Sequence, residues 1–299
     1  MNPMRPKSPA SRLALLLLVL ALLSGCARAG DNPIQSGSPA PADSQQQATP
    51  QPTPSPTPQP TPSPEPTHAY PLYTFGTPLE ESAPVADDSF FDSAVFLGDS
   101  RTEGLQLFSG LKNGTFYWAR GMTVFRADSD EYRVFQVDGQ QLTLVDALAQ
   151  RQYEAVYVMI GINELGYSPQ RYEQGLAELI DKILAVQPSA VVYLQTLPPV
   201  NDAVARANGL ADYINNTQVD LFNQAIVRVA AQKGVVLLDT ASIYRGPDGQ
   251  LPAELASDGA HFVFSGYARW ADYLRCHVMD PERYFYNRAL TSAGEEGSP

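Results

Sequence analysis

From residue 94 onward, short apolar runs alternate with longer stretches of helical spacing. The runs fall at 94–97, 115–118, 155–160, 190–196 and 235–238. Their length and their content of Val, Leu and aromatic residues suit strands, and 94–97 and 155–160 are apolar enough to be buried on both faces. Helical spacing appears at 142–149, 169–186, 217–233 and 265–278, and a further helical segment opens at Ser100 and continues through Leu105 to Phe108. Pro169 suits a first helical turn, and Gln187-Pro188 ends that helix. Such β–α alternation predicts an α/β domain with a parallel sheet covered on both faces. Five strands at this spacing predict a three-layer αβα, doubly wound, flavodoxin-like sheet in the order 2-1-3-4-5. Only 132–143 breaks the alternation. There Tyr132 to Val137 is followed by Asp138-Gly139, which predicts a hairpin or flap. Such a hairpin walls a substrate groove or is a plain surface hairpin, and both readings stand.

The N-terminal quarter has a different composition. Arg5, Lys7 and Arg12 precede an apolar run from Leu13 to Leu23 that is too short for a typical membrane span. Leu23-Ser24-Gly25-Cys26 follows. The tetrad resembles the bacterial lipobox, and the resemblance implies a signal peptide over 1–25, cleavage before Cys26 and lipidation of its sulfur. An ordinary signal peptide with an incidental cysteine is the plainer alternative. Residues 26–69 read as a Pro-rich spacer favouring extended polyproline II. Residues 70–92 form an aromatic and acidic lead-in, expected to pack loosely. The folded unit is expected over 93–286, followed by a flexible tail over 287–299 that ends in Gly-Glu-Glu-Gly-Ser-Pro.

Charge narrows the partners. The chain carries a formal −12, and loss of the three basic residues in 1–25 takes it to −15. Such a domain is not built to bind nucleic acid or an anionic surface. The expected membrane association runs through the lipid at Cys26. Only Cys26 and Cys276 are present, so a lipidated Cys26 leaves no disulfide. Cys276 is expected in the core.

The stretch from Ala94 to Leu105 concentrates the chemistry. A strand, a Gly98-Asp99 break and a helix start place the Ser100 hydroxyl at the carboxyl edge of the sheet. Free N–H groups at a helix start favour negative charge there. This suits a serine nucleophile, although Gly-Asp-Ser is also a common turn and Ser a common N-cap. The block resembles the first motif of the SGNH (GDSL-type) esterases and acylhydrolases, with Arg101 where founding members carry Leu. Three later stretches match that family's remaining motifs in order. Gly121 stands after the second strand, where the resemblance implies a backbone donor to the oxyanion. Gly161-Ile162-Asn163-Glu164 matches Gly-x-Asn-Asp with Glu164 in place of Asp, and Asn163 supplies a neutral donor. Asp258-Gly259-Ala260-His261 is the Asp-x-x-His block. A carboxylate three residues before a histidine can accept its Nδ1–H and leave Nε2 free for the serine proton. The other histidines, His68 and His277, lie in the spacer and late on the closing helix.

The resemblance therefore implies Ser100, His261 and Asp258 as catalytic residues, with Ser100, Gly121 and Asn163 forming the oxyanion hole. Asp99 is expected to stabilise the turn. Arg101, Arg120 and Trp118 are candidate substrate contacts, against the plain alternative of solvated arginines and a packing aromatic. No metal or cofactor is expected, because the histidines are scattered and no phosphate-binding loop is present. The expected substrate is a small acyl ester or an O-acetylated glycan. The alternatives are acyl transfer by the same triad and a non-catalytic glycan-binding lipoprotein.

Overall fold

The first apolar run forms β1 (Ala94–Gly98), all five residues buried. It leads through Asp99 into α1 (Ser100–Phe108). The computed structural model describes residues 69–296. The expected signal peptide, Cys26 and all of the spacer before residue 69 lie outside the described residues.

The remaining strands of the main sheet are β2 (Thr115–Trp118), β5 (Ala155–Met159), β6 (Val191–Gln195) and β7 (Val236–Leu238). All four pairings are parallel, and the order β2-β1-β5-β6-β7 reproduces the expected arrangement. The apolar side chains on β1, β5 and β6 face helices on both sides, which is why these strands read as continuous hydrophobic runs. One face carries an aromatic ladder. Phe116, Phe96, Tyr157 and Tyr193 are aligned by register and stack at centroid distances of 4.6, 4.9 and 4.5 Å.

The helices are α2 (Leu144–Leu148), α3 (Pro169–Val186), α4 (Asp202–Ala207), α5 (Asn216–Lys233), α6 (Phe264–Arg275) and α7 (Pro281–Glu296). Pro169 occupies the first turn of α3, and Ser168 caps it by accepting from Arg171 N. Helix α1 packs on α6, and α3 packs on α5. The expected hairpin is present as β3 (Phe135–Val137) and β4 (Gln140–Leu142). Asp138 and Gly139 both have positive φ, as a tight Asp-Gly turn requires.

Three expectations are corrected. The lead-in packs tightly: Tyr73, Phe75, Leu79 and Phe91 are core residues, and Leu79 N donates to Leu237 O at 2.8 Å on β7. The folded unit therefore starts before residue 93. Residues 287–296 of the expected tail are helical, as part of α7. Asn287 is buried, and its Oδ1 accepts from Tyr73 N at 2.8 Å. The polar ending masked this, because α7 docks through a few residues near its start. Cys276 lies at the end of α6, half-buried rather than in the core.

Helices α1 and α6 approach unusually closely. A Cβ on Gly104 would lie 2.0 Å from Tyr267 Cζ. Gly104→Ala is therefore expected to force the two helices apart, at a cost of about 1–3 kcal/mol. Thermal unfolding should show a Tm lower by several degrees. An unchanged Tm would mean that Tyr267 swings aside freely.

Candidate active site

At the carboxyl edge of β1 the chain turns sharply, and Asp99 is the N-cap of α1. Its Oδ1 accepts from Arg101 N at 2.8 Å. The capping duty thus falls on Asp99, as expected, and Ser100 keeps its hydroxyl free. Ser100 is the first residue of α1, where a backbone N–H has no intrahelical acceptor.

The Ser100 Oγ lies 2.8 Å from His261 Nε2. His261 Nδ1 lies 2.8 Å from Asp258 Oδ2. The other Asp258 oxygen accepts from Ala260 N at 2.9 Å and His261 N at 2.8 Å. One carboxylate thus shapes the turn and orients the ring. The bond to His261, reinforced by the two backbone donors, holds the Asp258 carboxyl well below the usual carboxylate range despite partial burial.

Gly121 and Asn163 follow β2 and β5, the two strands that flank β1, so they share its carboxyl edge. Gly121 has φ of 71°, and a Cβ there would meet nothing closer than 3.9 Å. Glycine is required there by backbone conformation rather than by space. Asn163 Nδ2 donates to Met122 O at 2.9 Å. That contact engages one amide hydrogen and leaves the second. Glu164, the departure from the Gly-x-Asn-Asp pattern, is buried and its Oε1 accepts from Val124 N at 2.7 Å. Asn163 and Glu164 therefore pin the Gly121 loop from one side. Burial, reinforced by the nearby Asp99 carboxylate, pushes the Glu164 carboxyl up to about 8, so it is mainly protonated at neutral pH.

A cleft of about 440 Å³ opens over Ser100 and His261. Gly104, Leu107 and Phe108 line it from α1, and Phe262 and Tyr267 from the α6 side. Arg120 borders it, paired with Glu103 through Nε at 2.6 Å and Nη2 at 2.7 Å. Arg120 is thus placed where a substrate contact was expected. Arg101 is not: it is fully buried. Its charge signalled solvent in the sequence, and only the packed loops around it show otherwise. Trp118 donates from Nε1 to Gln106 Oε1 and is not among the residues lining the cleft. The β3–β4 hairpin does not line it either. Glu103 was missed in the sequence; its spacing of three from Ser100 on one helix face was the available signal.

Residues 96–269 match the model of the GDSL-like lipase/acylhydrolase family. No protein of curated function matches the chain by sequence. Among solved structures, the chain is similar to a candidate platelet activating factor from Streptococcus pneumonia, with 22% identity, a TM-score of 0.49, and 61% of this chain and 82% of that one covered. It is also similar to a GDSL-like lipase from Bacteroides thetaiotaomicron, with 15% identity, a TM-score of 0.44 and coverage of 71% and 92%. An acetyl xylan esterase matches with 16% identity, a TM-score of 0.43 and coverage of 60% and 96%.

Proposed function

The chain belongs to the GDSL-like lipase/acylhydrolase family, and from that premise we propose that it is a serine esterase using Ser100, His261 and Asp258. The observation that carries the reading is the unbroken relay from Asp258 Oδ2 through His261 to Ser100 Oγ, with both links 2.8 Å long.

Ser100 Oγ attacks the ester carbonyl as His261 Nε2 takes its proton. Asp258 holds the ring through Nδ1–H and stabilises the imidazolium. The oxyanion is met by the N–H groups of Ser100 and Gly121 and the free amide hydrogen of Asn163. His261 then protonates the departing alcohol, and water attacks the acyl-enzyme in the reverse sequence. The His261 and Asp258 side chains are 37% and 36% exposed, so water reaches the acyl-enzyme. That favours hydrolysis over transfer to a second alcohol, which needs water kept out.

The lipobox-like tetrad and the Pro-rich segment support a reading in which the enzyme is exported and anchored through Cys26 to the outer face of a bacterial membrane. The matching substrate is an ester on a cell-envelope or extracellular carbohydrate, of the O-acetyl type.

Mixing the purified chain with p-nitrophenyl acetate and quenching rapidly should give nitrophenol and one acetyl group on the Ser100 peptide. Absence of turnover on a panel of acetyl esters would remove the esterase reading. Asn163→Ala is expected to lower kcat by about 10²–10³-fold with KM nearly unchanged, because the lost donor acts on the oxyanion rather than the bound ester.

A further inference from the structure

Arg101 stands where the family's founding motif carries an apolar residue, and its side chain is completely buried. Its Nε donates to Ala260 O at 3.0 Å and its Nη1 to Pro198 O at 3.2 Å. Its guanidinium carbon lies 5.6 Å from the centroid of the Phe262 ring. Ala260 and Phe262 are the two chain neighbours of His261. Arg101 is itself the chain neighbour of Ser100. One planar side chain therefore connects the residue after the nucleophile to the residues on both sides of the base.

Burying a guanidinium is costly, and the surroundings only partly offset it. The Nη2 has no hydrogen-bond partner among the described residues, and neither has Asp99 Oδ2. Burial disfavours the guanidinium charge, and the nearby Asp99 and Asp258 carboxyls oppose that effect without overcoming it. An apolar side chain would avoid that cost. A fork reaching two carbonyls while its charged carbon lies over a ring is a geometry that lysine cannot reproduce.

We propose that Arg101 is a positioning residue that sets His261 against Ser100 by gripping the Ala260 carbonyl and the Phe262 ring. The proposal rests on the serine-esterase reading. It assigns Arg101 no contact with substrate, so its effect falls on kcat and not on KM.

The test compares Arg101→Met and Arg101→Lys in the full chain. Three quantities are read: kcat and KM on p-nitrophenyl acetate, the rate at which a fluorophosphonate labels Ser100, and the thermal unfolding midpoint. Arg101→Met is expected to lower kcat and the labelling rate together by about 10²-fold, with KM within about twofold, as for a base displaced by about 1 Å. Arg101→Lys retains the charge but not the fork and should lose about tenfold in both. Wild-type kcat and labelling rate in a folded Arg101→Lys protein would overturn the proposal. So would a raised KM with unchanged kcat, which would make Arg101 a substrate contact. If Arg101→Met does not fold, the lysine variant decides alone. If the wild type is labelled at Ser100 yet hydrolyses no ester, the esterase reading fails while the labelling rates still test the role of Arg101. A wild type that is not labelled removes both.

Discussion

Ser100→Ala is expected to lower kcat on p-nitrophenyl acetate by at least about 10⁴-fold, to the level supplied by the oxyanion donors and binding alone. The argument is local. Alanine keeps the helix start, because the cap of α1 is the Asp99 side chain and not the serine hydroxyl. The variant should therefore fold with a Tm close to wild type. It loses only the atom that lies 2.8 Å from His261 Nε2. The covalent route disappears, and so should the acetylated Ser100 peptide. Activity within tenfold of wild type would mean that another group delivers the attack, and the triad assignment would fall.

Asp258→Asn should cost about 10⁴-fold in kcat while leaving the fold intact. An asparagine Oδ1 can still accept from Ala260 N and His261 N, so the turn survives. Its amide then faces His261 Nδ1 as a donor. The ring must place its proton on Nε2, the atom that has to accept from Ser100. The base is thus present in the wrong tautomer. Wild-type Asp258 is held below the ordinary carboxylate range, chiefly by its bond to His261. A depressed carboxyl stays ionised as pH falls through the usual carboxylate region. The orienting charge is therefore retained there, and its stabilising effect is lost only at still lower pH. The pH–rate profile of wild type should show no acid limb assignable to Asp258 in the ordinary carboxylate range. A profile for Asp258→Asn at wild-type height would exclude an orienting role.

The sheet was legible in the sequence from burial alone, and the relay from four motifs that stand in the order of one family's blocks. A parallel strand buried on both faces must be a continuous apolar run, and a βα unit must break sharply at its carboxyl edge. Val95, Phe96 and Leu97 followed by Gly98-Asp99 satisfy both conditions, as do Val156 to Met159 before Gly161. The Asp258–His261 spacing carries its geometry within one turn. Arg101 escaped because charge ordinarily signals solvent, and its acceptors lie about 100 and 160 residues away in the chain. Helix α4 was missed because it buries only Ala205 and so shows no apolar stripe. The lead-in and α7 were misjudged because each is half a contact. Tyr73 finds its partners at Asn287 and Leu237, more than 160 residues away, and nothing local marks it as core.

The place where the chain enters the domain has a mechanical consequence. Tyr73 and Leu79 meet β7, Phe75 lies against Gly234, and the Ser82 and Val85 N–H groups donate to the end of α6. A pull transmitted from the N-terminal side is taken up by this belt of contacts with α7, β7 and α6. Ser100 lies just beyond the carboxyl end of β1, and none of the residues in this belt lines the cleft over it. Loss of the lead-in would therefore expose the edge of β7 and the end of α6 while leaving every residue that lines the cleft in place.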